Sequence, residues 1–234
     1  MDIIDIIKIV DSVDGWLSHN EGKLLYYLAK ERKGTIVEIG SWMGKSTIWM
    51  GFGSHDGHRA TIYSIDPHNQ APEYGIDGIE STYPKFIENI ERAGVDDVCV
   101  FLVKTSEEAV KQFADDSVDL IFIDGSHEFD YVNLDYQCWF PKLKQGGVMA
   151  FHDSKEPDVR RVVEAGVYKS KYFKNVKTVD SITYAEKVKK HSLADFLKKR
   201  HFLLYRNLAE WSKKVGIPQP IRILGKKILW RKEK

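Results

Sequence analysis

From Gly34 onward the chain alternates short apolar runs with amphipathic stretches, and this alternation restricts the fold more than any other feature. Short runs rich in branched and aromatic residues, separated by segments with helical spacing, are the pattern of βαβ units and a mostly parallel sheet. The candidate strands are Thr35–Ile39, Thr61–Ile65, Val98–Val103, Leu120–Ile123, Val148–Phe151, Val176–Val179 and Ile182–Ala185. Helical patterns fall between them at Ser46–Phe52, Tyr83–Ala93, Ser106–Phe113, Tyr131–Trp139 and Asp158–Tyr168, and "KQGG" before Val148 reads as a turn. Five strand–helix alternations followed by two closely spaced strands predict an α/β fold. Its sheet is seven-stranded and mostly parallel, with helices on both faces and the last strand inserted antiparallel.

Three regions follow from this. Residues 1–33 are expected to form a helical cap: Ile3, Ile6, Ile7 and Val10 recur at helical spacing, and Ser18-x-x-Glu21 is a capping box ahead of Leu24, Leu25 and Leu28. Residues 34–188 hold the sheet, and 189–234 form a basic tail. A chain of 234 residues that is 43% hydrophobic suits one domain with such appendages. Cys99 and Cys138 match no metal or redox spacing. No apolar run reaches the roughly 18 residues of a membrane span, and the start "MDIIDIIKIV" carries acids where a signal peptide carries bases, so a cytoplasmic protein is expected.

The net charge of +1 conceals a division, since residues 185–234 hold 15 Lys+Arg against 4 Asp+Glu while the rest of the chain is acidic. In the tail, Ser192-x-x-Asp195 caps a stretch that places Leu193, Phe196, Leu197, Leu204, Leu208, Trp211 and Val215 on one face. Pro218 and Pro220 end it, and Ile221, Leu224, Ile228 and Leu229 mark a second basic amphipathic segment. The leading expectation is that this stripe packs on the core or across a homo-oligomer. The alternatives are a peripheral contact with the inner face of a membrane, or a clamp on an anionic substrate. A basic stripe is also a nucleic-acid footprint, but no RNA-binding module accompanies it, so no nucleic-acid partner is expected. The turn-rich loop Pro67 to Thr82 is a candidate lid.

The stretch "VEIGSWMGKST", Val37 to Thr47, carries the strongest functional signal and reads two ways. A phosphate-binding P-loop needs four residues between its first glycine and Gly-Lys-Ser/Thr, whereas Gly40 and Gly44 are separated by three, one of them Trp42. "VDLIFID", Val118 to Asp124, imitates the apolar strand and aspartate of such hydrolases, which keeps that alternative open. The other reading explains more residues. Glu38 ends a strand, Gly40 permits a tight turn, Gly44 lets the backbone approach a ligand, and a helix begins near Lys45 and Ser46 where a ligand carboxylate can sit. Asp66 then ends the second strand 28 residues after Glu38, in the range where an acid accepts hydrogen bonds from ribose hydroxyls. A dinucleotide fingerprint would want glycine where Trp42 stands.

On these residues the chain resembles the class I S-adenosylmethionine-dependent methyltransferases with a Rossmann-like sheet. "EIGSWMGKS" is similar to the E-x-G-x-x-x-G-x-S loop of the catechol O-methyltransferase group. "FIDGSHEFDYVNLDYQCWFPKLKQGGVMAFHD" resembles the D-G-x-H-x-Y … L-x-x-G-G-x-x-x-x-H-D stretch of bacterial O-methyltransferases acting on sugars and natural products. The resemblance implies O-methylation of a small-molecule or glycan hydroxyl, with S-adenosylmethionine held by Glu38, Gly40, Ser41, Trp42, Gly44 and Ser46 in the loop and by Asp66 and Pro67 after the second strand. Thr105 and Ser106 would lie near adenine, Ser106 also serving as a helix N-cap. Asp124 would touch the cofactor or bind metal, and His127 is the candidate general base, since an imidazole can take a hydroxyl proton near neutral pH. Asp124, His152 and Asp153 are the candidate metal ligands, with Asp130 or Asp135 in reserve. A histidine in this set shifts the expectation from Mg²⁺ toward Mn²⁺ or another transition ion, and without metal the His152–Asp153 pair would orient the substrate. The resemblance also implies in-line attack of the acceptor oxygen on the sulfonium methyl. A catalytically inactive binding subunit of the same fold is the alternative from another functional class.

Overall fold

A computed structural model describes residues 2–69, 81–189 and 193–216; most of the candidate lid, Ser192 and the segment from Pro218 onward lie outside the described residues. Seven strands form one sheet: β1 (Thr35–Ile39), β2 (Thr61–Ile65), β3 (Cys99–Leu102), β4 (Val118–Ile123), β5 (Leu143–Phe151), β6 (Phe173–Val179) and β7 (Ile182–Lys187). Their order is β3-β2-β1-β4-β5-β7-β6. The pairs from β3 to β5 are parallel, while β7 pairs antiparallel with both β5 and β6. The insertion expected from the closely spaced final strands is therefore what the chain forms.

The helices are α1 (Ile3–Val10), α2 (His19–Lys30), α3 (Lys45–His55), α4 (Tyr83–Ala93), α5 (Ser106–Ala109), α6 (Phe129–Trp139), α7 (Pro157–Val163) and α8 (Leu193–Lys214). Helix α7 continues into a π-helical turn at Glu164–Tyr168. Strand alternation distributes the core to two layers. Ile36, Ile62, Leu120 and Phe122 face α1 to α4 together with Leu25, Trp49 and Phe86. Val37, Ile39, Ile121 and Ile123 face the other side with Val132, Trp139, Val163 and Leu203.

Three local differences from the sequence reading have physical causes. "KQGG" does not end a strand. Val118 pairs with Leu143 and Leu120 with Val148, so the segment bulges out of a continuous β5, with Gly146 at φ 81°. The N-cap of α5 is Thr105, one residue earlier than expected, and it forms a capping box with Glu108. Along α8 the apolar stripe does not pack on the core. Leu197, Leu204, Leu208, Trp211 and Val215 are exposed, and the face turned to the body carries Lys199, Phe202 and Leu203. Lys199 Nζ donates to the carbonyls of Val167 and Ser170, Phe202 stacks on Tyr168, and Asn207 accepts from Arg160. Those carbonyls, at the end of the π turn, select this face for burial because a cation satisfies them.

The α1–α2 connection and the first turn of α2 form a strap at the carboxyl ends of the strands, while the two helices pack on one face of the sheet. Ser18 Oγ donates to Asp180, and Glu21 Oε1 accepts from both the backbone N–H (2.7 Å) and the hydroxyl (2.6 Å) of Ser181 in the β6–β7 turn.

Candidate active site

Strand order reverses between β1 and β4, and the diverging connections leave a crevice outside their carboxyl ends. The glycine loop crosses this point. Gly40 has φ 83°, and a Cβ there would lie 2.2 Å from the carbonyl oxygen of Asp124, so both conformation and clearance demand glycine. Trp42 adopts φ 47°, a strained conformation for a bulky residue. Asp66 braces this turn: its Oδ2 accepts from the backbone N–H groups of Ser41 and Trp42, each at 2.9 Å, and its Oδ1 accepts from His68 N–H at 2.7 Å.

Glu38 stands behind the loop, wholly enclosed. Ser46 and Thr47 hydroxyls donate to its two oxygens at 2.5 Å and Ser64 adds a third bond at 2.9 Å. Burial pushes its carboxyl up to about 7 in spite of these donors. Glu38 thus fastens the start of α3 to β1 and β2. Gly44, with φ 92°, caps α3, and its missing side chain makes room for Ile90 and Phe86 of α4, a packing role in place of the ligand approach expected.

A cavity of about 470 Å³ opens in front of the loop. Of the residues singled out from sequence, Gly40, Ser41, Trp42, Ser46, Asp66, Asp124, His127, His152 and Asp153 line it; Glu38, Gly44, Pro67, Thr105 and Ser106 do not. Ser106 instead accepts from Trp139 Nε1 at 2.7 Å. The Ser41 hydroxyl is buried without a hydrogen-bond partner among the described residues. Buried hydroxyls are normally satisfied, so a free one on a cavity wall is a ready contact for a ligand.

Beside the loop, His152 lies within 2.8 Å of Asp124 and 3.1 Å of Asp153 through Nδ1, and 3.6 Å from Glu21 through Nε2. These are ion-pair contacts with the carboxylates off the N–H directions, since neither ring nitrogen has a hydrogen-bond partner. Burial opposes a charge on His152, yet the three carboxylates outweigh it and push its pKa up to about 12. Burial likewise raises Asp124, whereas His152 holds Asp153 down. Glu21 is held at about 2: burial works against it, and His152, Ser181 and Ser18 more than compensate. Asp153 itself adopts φ 45°. At the rim, His127 Nε2 is 3.5 Å from Asp153 and its Nδ1 3.5 Å from Glu156.

Asp124, His152 and Asp153 present ligand atoms within 4.8 Å of one another, and His127, Asp153 and Glu156 form a second such group. Asp130 and Asp135 join neither. Asp135 is buried, which raises its carboxyl to about 6 against a hydrogen bond from Ser106.

Part of the cavity was not legible in the chain. Asp14, Gly15, Trp16 and Leu17, from the α1–α2 connection, form one wall, with Lys45 Nζ donating to the Gly15 carbonyl at 3.0 Å. Trp16 stands 5.7 Å from Trp42 between ring centroids. Glu21 was visible only as a capping-box partner, a role it does fill, accepting from Ser18 N–H at 2.9 Å. The wall is therefore rich in carboxylates, Asp14, Asp66, Asp124, Asp153 and Glu156 among them, which suits a cationic or neutral ligand and repels a triphosphate.

Comparison with known proteins agrees with this fold. The profile of the family described as methyltransferase domain matches residues 37–154. A protein of Sinorhizobium fredii, described as uncharacterized protein y4gI, is 30% identical over 147 residues, which is 62% of this chain and 16% of that protein. The chain therefore spans about a sixth of the length of that curated relative. The structure of the O-methyltransferase TomG from Streptomyces achromogenes, involved in tomaymycin synthesis and solved with S-adenosylmethionine, is similar at a TM-score of 0.56. It is 19% identical, over 80% of this chain and 87% of that one. The O-methyltransferase from Bacillus cereus, in complex with S-adenosylhomocysteine, is similar at a TM-score of 0.55 and 20% identity, over 79% of this chain and 90% of that one.

Proposed function

Since this chain belongs to the methyltransferase-domain family and has the class I fold, we propose that it is an S-adenosylmethionine-dependent O-methyltransferase acting on a hydroxyl of a small-molecule or glycan acceptor. One observation carries the reading. A braced glycine loop with an unpartnered Ser41 hydroxyl shares a single cavity with an acid–imidazole cluster at the sheet's switch point.

S-adenosylmethionine, when bound, supplies a methyl group already activated on a sulfonium centre. The chain's share is to bind, orient and move a proton. Asp66 keeps a lone pair of Oδ1 for a ribose hydroxyl while its Oδ2 orders the Ser41–Trp42 turn. Ser41 and the amino end of α3 offer donors for the cofactor's carboxylate. His127, on the rim between Asp153 and Glu156, is placed to accept the acceptor's hydroxyl proton, and the two carboxylates stabilise the imidazolium that results. Trp16 gives the mouth a flat apolar surface against which a sugar or aromatic ring can lie.

The donor set Asp124, His152 and Asp153, one nitrogen with two carboxylates, fits a transition ion such as Mn²⁺ better than Mg²⁺. Such an ion would supply Lewis-acid charge beside the acceptor oxygen.

Calorimetric titration with S-adenosylhomocysteine, and with Mg-ATP as comparison, tests the reading. We expect micromolar binding of the first alone, followed by methyl transfer to a sugar or phenol panel that responds to added Mn²⁺. Binding of Mg-ATP alone would overturn the assignment. Tight cofactor binding with no turnover on any acceptor, with or without metal, would favour a non-catalytic binding subunit.

A further inference from the structure

Helix α8 leaves a continuous apolar row in solvent. Leu197, Leu204, Leu208, Trp211 and Val215 are each between 48% and 58% exposed, and their spacing puts them on one side of the helix. The opposite side is already committed to the body through Lys199, Phe202 and Leu203. A helix held by its far side, with a row of leucines and a tryptophan facing outward, has a surface that something else must cover.

Charge decides what covers it. Residues 193–214 hold six Lys or Arg against two acids, one of the six, Lys199, being turned to the body, and residues 217–234 hold six against one. The row's spacing would allow two copies of α8 to pair, but two strongly basic helices with so few acids cannot supply the alternating charges that flank a helix–helix seam. The body offers no matching apolar row among the described residues. Its exposed large hydrophobics, such as Ile4, Tyr27, Val100 and Tyr131, come from separate elements. A basic helix with exposed leucines and a tryptophan complements an anionic lipid surface, where the row enters the headgroup boundary and the lysines meet acidic headgroups. The acidic body favours the same orientation, since it is repelled from that surface while the tail is drawn to it. None of the described helices is long and apolar enough to cross a membrane, which leaves an interfacial contact.

We propose that the outer face of α8 is a docking surface for an anionic lipid bilayer. Sedimentation of the full chain with vesicles of phosphatidylglycerol and phosphatidylcholine, against vesicles of phosphatidylcholine alone, tests it. Binding is expected to the anionic vesicles only, to fall steeply between low and high salt, and to drop at least about tenfold in the double variant Leu204→Glu, Leu208→Glu. Because both side chains are exposed, the variant's melting temperature and its affinity for S-adenosylhomocysteine should match the parent protein, which separates lost docking from lost folding. Equal sedimentation of parent and double variant would overturn the proposal, as would absence of binding to anionic vesicles. So would a concentration-dependent dimer in sedimentation velocity that the double variant abolishes, because the row would then be an interface between copies.

Discussion

Glu38 at the front of the sheet is wholly enclosed, and Leu204 on α8 is 58% exposed; each reverses the usual place of its residue type. The two regions handle the reversal differently. Around Glu38 the compensation is internal, with three hydroxyls donating to one carboxylate, and nearby Glu21, Asp124 and Asp153 share the charge of His152. On α8 the buried Lys199 is satisfied by carbonyls, but nothing among the described residues covers the leucines outside. Buried charge at the site is thus a closed arrangement, whereas exposed hydrocarbon on the tail is an open one that calls for a partner.

Substitutions can break this contrast. The largest effect is expected at the rim: His127→Ala should lower kcat by about 10²–10⁴ while leaving S-adenosylhomocysteine affinity within about threefold, because the proposed base sits apart from the glycine loop. An equal loss of cofactor affinity would place His127 in the binding site instead. Next is Asp66→Ala, which removes the brace of the Ser41–Trp42 turn together with the proposed ribose acceptor. Calorimetry should show cofactor affinity reduced by about 100-fold or more, and an unchanged affinity would dissolve the link between loop order and binding.

Glu38 sharpens the same comparison through pH. A carboxyl raised to about 7 binds its proton more tightly in the folded chain than at the ordinary value of 4.5 in the unfolded one. Its charged form therefore costs the fold stability, a cost absent below about 4.5, growing as pH rises toward 7 and constant above it. A shift of this size corresponds to roughly 3 kcal/mol. Denaturant melts between pH 4.5 and 8 should show this decline in the parent and a flatter profile in Glu38→Gln. Parallel profiles would mean that the hydroxyl donors compensate the carboxylate fully. The smallest effect is expected on the tail, where Lys199→Met keeps the stem but leaves the carbonyls of Val167 and Ser170 unpaired; a loss of about 1–2 kcal/mol is expected from melts.

The same contrast explains what the chain discloses about itself. β1 and β2 begin and end at the residues expected because their apolar side chains are buried or half-buried on both faces, so every apolar position reports on the core. Asp66, Asp124, His127, His152 and Asp153 converge because each ends or closely follows a strand at one edge of the sheet, and strand ends can be located from sequence. Glu21 and Trp16 gave no such signal. They reach the site from the α1–α2 region through a fold-level crossing, and a local pattern marks Glu21 only as a helix cap. On α8 the apolar stripe was recognisable but its direction was not, because periodicity says which residues share a face and says nothing about what that face meets.

The strap formed by the α1–α2 connection and the first turn of α2 has a practical consequence for anyone trimming this protein to the span its family profile matches. A fragment covering residues 37–154, the span matched by the family profile, would retain the glycine loop and the aspartates but discard Asp14, Trp16 and Glu21. It would also discard β6 and β7, so the turn that anchors Glu21 would go with the helix it holds. Such a fragment would keep the recognisable signature while losing the cavity wall formed by Asp14, Gly15, Trp16 and Leu17. Activity assays on minimal domains of this kind would therefore underestimate what residues 1–234 can bind.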